Sequence, residues 1–504
     1  MLLTLLICLP FAAALLGALA RLPGPAALVG ALGSLGIAVS LIAGYGGHGF
    51  SHVYDHVWIR ELGIHYKVGV DGLNLFLVAL TTFLFALALL ASNLRSWDKP
   101  RLFYFHLALA ESAVLGAFLA QDLALFLGFF DLMLIPFYFL LGSWGGADRV
   151  AATTKLVIYT LVGSLLMLAG AIALAVLTSE ASGHHLSFVL SDLQSSPLAK
   201  GSQEWIFLLF AAAFLVKMPA FPLHGWMPDG YRAMPIEVLT VFSGVLAKVG
   251  AYGFLRIVLP IMPGASAHFQ TLLLLIGLAS ILYGSAMAYT QTNVRLIVGY
   301  SSVAQLGFIT MGIFALSPQG AQGAVLQMVN HGLVVAPLFF IIALLARRAG
   351  SEDIRDMGGI ALRAPVLATV FLVVAFAALA MPGSGNFVGE FMILLGVFNA
   401  KLAIAVVAFA GVVMASVYML RAFIRTMHNR TGPHVDPREL SVRDALVLVP
   451  LVAAILLFAL YPQLELHRAE SSVGGSVAAA QAAARPRAVA SIAAAPAPRR
   501  GATR

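Results

Sequence analysis

Four ionisable residues stand inside long apolar runs of this sequence: Asp131 in LFLGFFDLMLIPFYFL, Lys217 in FLVKMPAF, Lys248 in VLAKVGAY and Glu390 in NFVGEFMILLG. Hydrocarbon charges roughly 2.5–3.5 kcal/mol or more for an ionised group at mid-depth, so such residues in a membrane protein mark an ion path. A buried carboxylate either keeps its proton or finds a cation, and Lys217 is the natural partner for Asp131. At about 4 Å and an effective dielectric near 20 the pair would gain about 4 kcal/mol. Making and breaking that pair is a switch built from two residues. Lys248 has no acid in its own apolar run and is expected to pass protons on, with Glu390 placed to receive or release them. His224 and His331, in FPLHGW and MVNHGL, belong to the residue type whose unperturbed pKa suits relay between the two. Together these groups predict a row of titratable side chains that conducts protons along the membrane plane. One buried acid alone can be a structural residue bonded to a neighbouring helix; two lysines and two acids near breaks or mid-run are not explained that way. Glu111, His106 and Glu237 are weaker candidates, Glu237 being near enough to a run's start to act as a solvated cap.

The elements that must hold these residues follow from composition. The chain has 504 residues, 61% of them apolar and 10% charged, which fits a protein that crosses a bilayer many times. Each crossing takes about 20 apolar residues, and a backbone in lipid must satisfy its own hydrogen bonds, so the runs are helices. About fourteen runs are present, and the class is all-α and polytopic. Cys8 is the sole cysteine, so this chain alone builds neither a disulfide nor a cysteine-ligated cluster. The net charge of +8 sits mainly in loops and the C-terminal tail, which points to membrane topology and away from nucleic acid. The start, MLLTLLICLPF, has no basic region and no clear cleavage site, so the first run is expected to be retained as a span. Gly-rich pieces such as Gly142–Gly146 follow no strand and imply no nucleotide site.

Two breaks divide the runs: Pro219 and Pro222 at the end of the seventh, and Pro382, Gly383 and Gly385 inside the twelfth. Broken segments in corresponding positions, five spans apart, predict two inverted five-helix repeats with a site at mid-membrane. The expected organisation is three N-terminal helices over 1–100, a first repeat over 101–260, a second over 261–430, a last helix over 431–465, and a disordered Ala/Pro/Arg-rich tail over 466–504. Loops after odd-numbered runs carry 17 Lys and Arg against 5 after even-numbered ones, which predicts both termini outside the cytoplasm.

At these residues the sequence resembles the M-type, proton-translocating membrane subunits of bacterial NADH-quinone oxidoreductase, respiratory complex I. They belong to the antiporter-like family shared with Mrp-type sodium/proton antiporters and membrane-bound hydrogenases. The resemblance rests on VGVDGLNL (68–75), FFDLMLIPFY (129–138), YTLVGSLLMLAG (159–170), VKMPAFPLHGWMPD (216–229), LAKVGAYGFLR (246–256), SSVAQLGF (301–308), NHGLVVAPLF (330–339) and PGSGNFVGEFMILLG (382–396). It implies fourteen transmembrane helices with the inverted repeats. It also implies that Asp131 stands for the fifth-span glutamate, Lys217 for its paired lysine, Lys248 for the central lysine and Glu390 for the terminal carboxylate, with His224 and His331 as family histidines. Glutamate at 390 favours complex I over an Mrp-type antiporter or a hydrogenase-linked subunit, the alternatives. Implied partners are the other membrane and peripheral subunits, the lipid bilayer and protons. FMN, iron-sulfur clusters and quinone are expected in those partners and none in this chain, and the location is the bacterial inner membrane. Two departures stand out. Aspartate at 131 is one methylene short, which should lengthen the contact with Lys217. In WMPDGYRAMP, Tyr231 and Ala233 replace a histidine and a glutamate, while Glu237 follows one turn later as a relocated carboxylate or the sign of a lost one.

Overall fold

The computed structural model describes residues 1–183, 185–196, 198–430, 435–436 and 438–485. Helices dominate. The first third comprises α1 (Leu2–Leu19), α2 (Pro23–Gly44), a hairpin of β1 (Ser51–Ile59) and β2 (Ile64–Val70), α3 (Leu75–Asn93), α4 (Pro100–Leu119), α5 (Leu123–Leu132), α6 (Leu134–Trp144) and α7 (Arg149–Ser182). The middle adds α8 (Leu190–Ser195), α9 (Lys200–Lys217), α10 (Met227–Ala233), α11 (Ile236–Val241), α12 (Ala247–Gly253), α13 (Leu259–Ile261) and α14 (Pro263–His268). Then come α15 (Gln270–Thr290), α16 (Val294–Phe314), α17 (Pro318–Ala349), α18 (Pro365–Ala378), α19 (Gly385–Ala400), α20 (Leu402–Met427), α21 (Val442–Leu460) and α22 (Gln463–Ala484).

Among the described residues, 12 helical segments are long and apolar enough to cross a membrane, counting 123–144 and 236–261 as single segments. The seventh expected run is α9, with Lys217 at its last position, and the twelfth is divided into the shorter α18 and α19 on either side of MPGSGN. Capping sets several starts: Asp122, Asn293, Ser317 and Ser384 each accept a backbone N–H from the first turn of α5, α16, α17 and α19. Glu439 does the same for α18 from a distance, accepting from Val366 N (2.8 Å) and Leu367 N (3.0 Å). Partial burial opposes its charge, but those N–H groups and that of Leu440 hold its carboxyl below the ordinary glutamate value.

The layering follows from which helices are apolar all round. The 236–261 segment and α16 are buried on every side, whereas α1, α2, α20 and α21 expose Leu16, Val29, Val406 and Val449 on their outer faces. Inner helices of this kind form the middle of a bundle, and outer ones present their exposed faces to lipid. Two further irregularities were not anticipated. The fifth run breaks at Met133, where Pro136 has no N–H to give and its ring crowds the Leu132 carbonyl. The eighth contains two π-helical turns, Phe242–Leu246 and Phe254–Val258, flanking α12.

Outside the bundle, β1 and β2 pair antiparallel with Asp55 opposite Lys67, their side chains 3.1 Å apart. The hairpin leads into VGVDGLNL, where Asp71 accepts from the N–H groups of Leu73 and Asn74 and pairs with Arg256. The tail differs from expectation. Residues 463–484 form α22, whose Ala469, Val473, Val477 and Ala480 are buried against the bundle at α13, α14 and α17. An apolar stripe at helical spacing supplies the burial that the Ala-rich composition concealed. The remainder of the expected disordered tail, 486–504, lies outside the described residues.

Candidate functional site

Lys248 is fully buried at the start of α12. Its Nζ donates to the Ser243 carbonyl at 2.6 Å and lies 2.8 Å from His331 Nδ1 on α17. The wider π turn at 242–246 loosens the usual backbone ladder and leaves the Ser243 carbonyl to the lysine five residues on, the kind of local irregularity that accompanies function. Glycines bring α17 this close. A Cβ on Gly332 would stand 2.7 Å from the Gly244 carbonyl oxygen and 2.6 Å from a Leu80 side-chain methyl, so the backbone approach to Gly244 does not survive a side chain there. At 2.8 Å, Nζ donates to an unprotonated Nδ1 or, with the proton moved across, accepts from it.

From His331 the polar row continues along α17 through Asn330 and Gln327, both buried. Gln327 Nε2 donates to Gln305 Oε1 on α16 at 2.7 Å, and Gln305 Nε2 donates to Glu390 Oε1 on α19 at 2.8 Å. Glu390 Oε2, Gln327 Oε1 and the Asn330 and Asn386 amides have buried atoms without a protein partner. Gln327 lies one helical turn before His331, so a solvent molecule or two would join the segments. Gly389 and Gly385 on α19 make room, since Cβ atoms there would stand 2.4 Å from Gln327 Oε1 and 2.8 Å from Asn330 Oδ1. Reading from charge alone missed Gln305, Gln327, Asn330 and Asn386, although SSVAQLGF and MVNHGL contain two of them.

Lys217 is buried at the C-terminus of α9. Its Nζ sits over the Phe130 ring, 4.5 Å from the centroid. Asp131 acts on it electrostatically from the next residue of α5, with Ser164 of α7 also beside the carboxyl group. The expected contact near 4 Å is not formed: the charged atoms lie beyond 4.0 Å, and Phe130 occupies the near position. Lys217 shares a small cavity with Thr160, Trp226, Phe242 and Leu246, so it borders the same π turn that holds Lys248.

His224 lies in the turn after α9, buried against the rings of Phe221 and Tyr283, with Nδ1 unpartnered. It is not hydrogen-bonded into the row. Glu111 on α4 is fully buried and neither oxygen has a partner. Glu237 is no solvated cap: it is 5% exposed and its Oε1 accepts from Arg95 Nη1 at 3.0 Å. His106 Nδ1 donates locally to the Leu102 carbonyl. The structure thus joins Lys248 to His331 directly and surrounds Glu390 with amides, while Lys217 and Asp131 form a neighbouring cluster. Chemically this is a row of proton-binding groups in a protein interior that excludes bulk water.

Known proteins resemble this chain in sequence and fold. The family described as NADH:quinone oxidoreductase/Mrp antiporter, transmembrane, matches residues 120–417. NADH-quinone oxidoreductase subunit M of Escherichia coli (strain K12) is 38% identical over 429 residues, 84% of this chain and 84% of that protein. A chain of respiratory complex I from Thermus thermophilus with bound NADH superposes with a TM-score of 0.86 at 30% identity, covering 95% of this chain and 100% of its own. A chain of the Mrp complex from Dietzia sp. DQ12-45-1b gives 0.83 at 21% identity, covering 95% and 98%, a likeness of fold.

Proposed function

The chain belongs to the NADH:quinone oxidoreductase/Mrp antiporter transmembrane family, and from that premise we propose that it is a proton-translocating membrane subunit of a bacterial NADH-quinone oxidoreductase. The observation that carries the reading is the Lys248 Nζ–His331 Nδ1 contact at 2.8 Å between two buried side chains. In this reading, redox chemistry in partner subunits, which hold FMN, iron-sulfur clusters and quinone, drives protonation changes in Asp131, Lys217, Lys248, His331 and Glu390.

Lys217 and Asp131 set the state of the first cluster. When their attraction is weakened, the Lys217 proton is free to leave toward the 242–246 turn. Lys248 and His331 exchange it across one hydrogen bond, and the amides of Gln327 and Gln305 orient the solvent that leads to Glu390. The 12 long segments together with α9 and the divided twelfth run support fourteen crossings, and the breaks after α9 and between α18 and α19, five spans apart, support two inverted repeats. The arginine-rich ends of α3, α16, α17 and α21 support a cytoplasmic face there, with both termini on the opposite side of the inner membrane. Replacing Lys217 by alanine should leave the complex assembled and remove most NADH-driven proton pumping; full pumping by that assembled variant would overturn the proposal.

A further inference from the structure

We propose that Glu237 is the group through which protons reach Lys248 from the arginine-rich side, by way of Tyr231 and Ser243. This deepens the proton-pumping reading and rests on it. A cavity of about 580 Å³ opens between α3, α11, α17 and α21. Its wall includes Glu237, Arg95, Arg295 and Glu352, with Arg347 and Asp444 farther out. Two atoms of residues on that wall are buried and unpartnered, Glu237 Oε2 and Arg295 Nε, a proton acceptor and an N–H donor. Arg95 holds only the other glutamate oxygen, at 3.0 Å. Of the four arginines on the wall, Arg95, Arg295, Arg347 and Arg443, three have a carboxylate beside them: Arg95 has Glu237, Arg295 pairs with Glu352 at 2.5 Å and Arg347 approaches Asp444 at 3.8 Å. The surface therefore suits water and protons better than an anionic ligand.

Beyond Glu237 the path has polar stations. Ser243 follows Glu237 by six residues and precedes Lys248 by five, roughly 9 Å and 8 Å along the helix axis. Its carbonyl accepts from Lys248 Nζ. Its hydroxyl neighbours that of Tyr231, fully buried on α10, and neither hydroxyl has a well-formed hydrogen bond to protein. Two hydroxyls facing each other with unused capacity can pass a proton by reorienting, with a solvent molecule on each side. Arg295 fixes the turn that positions them, donating to the carbonyls of Tyr231, Arg232 and Met234 at 3.4, 3.2 and 2.7 Å. Tyr231 and Glu237 both lie in WMPDGYRAMPIEV, where the sequence departs from the family it resembles, and Ser243 follows it.

The test compares Glu237→Gln, Glu237→Asp and Lys248→Ala in the assembled complex, measuring protons pumped per NADH oxidised in inverted membrane vesicles. Glutamine keeps an oxygen for Arg95 but cannot carry the proton, so a purely structural role predicts wild-type pumping for Glu237→Gln. The proposal predicts pumping lost to the level of Lys248→Ala, with Glu237→Asp restoring a substantial part. Wild-type pumping by Glu237→Gln alongside loss in Lys248→Ala overturns this route and leaves the proposed function standing. Wild-type pumping by Lys248→Ala overturns both. Should Glu237→Gln not assemble, Tyr231→Phe removes only a hydroxyl: reduced pumping supports the route and wild-type pumping overturns it.

Discussion

Substituting Gly332 by alanine tests whether the close approach of α17 to the π turn is what creates the Lys248–His331 contact. The added Cβ would stand 2.7 Å from the Gly244 carbonyl oxygen, a backbone atom that cannot rotate away. Relief to an ordinary carbon–oxygen separation of about 3.4 Å requires the two segments to part by roughly 0.7 Å, and small-to-large changes of this kind cost about 1–3 kcal/mol. His331 is the adjacent residue on α17, so the same displacement takes its Nδ1 from 2.8 Å to about 3.5 Å from Lys248 Nζ, where a hydrogen bond is no longer made. A hydrogen bond to a charged group is worth about 1.5–3 kcal/mol, so the bonded population should fall roughly tenfold or more. Neither Glu390 nor Lys217 is touched. The assay is NADH-driven acidification of inverted vesicles, normalised to NADH oxidation and to assembled complex, with Gly474→Ala on α22 as the control, since nothing lies within 4 Å of a Cβ there. Assembled Gly332→Ala complex that pumps at the wild-type stoichiometry would refute the reasoning.

Replacing Glu390 by glutamine keeps an acceptor for Gln305 but removes the titratable group, so pumping should drop sharply with assembly unchanged, read in the same vesicle assay. Phe130→Leu removes the ring under Lys217 Nζ; a desolvated cation–π contact is worth about 2 kcal/mol, and the expected result is impaired pumping at normal complex abundance. Val473→Asp puts a charge at a fully buried position of α22, and an unpaired buried charge costs several kcal/mol, so native gels should show loss of assembled complex. Glu439→Gln should lower the thermal midpoint of the purified complex at neutral pH. Because the native carboxyl titrates below its ordinary value, its contribution is present above the unfolded-state pKa and disappears as pH falls through the folded one; the gap between variant and wild type should narrow on acidification.

Much of this arrangement is legible in residue types. Charged residues in hydrocarbon-length runs have few uses, so Lys217, Lys248, Glu390 and His331 stand out from sequence, and hydropathy places the helices that carry them. Their mutual distances are not legible. Whether Lys217 meets Asp131 or the Phe130 ring depends on a side-chain length set against helix positions, and sequence supplies only the first. Gln305, Gln327, Asn330 and Asn386 escaped because neutral amides in apolar helices more often pack than conduct. The hairpin at 51–70 also carried a signal: VYDHVWI and IHYKVGV hold β-branched and aromatic residues in near alternation, the period of a strand. In α22 an alanine-rich composition outweighed the four-residue spacing of Ala469, Val473 and Val477. The π turns have no sequence rule to reveal them.

The central claim is that Lys248 carries protons that leave the membrane on turnover. It is tested most directly by the proton-to-NADH stoichiometry of assembled Lys248→Ala complex in sealed vesicles. Fewer protons pumped for each NADH oxidised is the predicted outcome. An unchanged ratio would contradict the account and leave the buried lysine a structural residue.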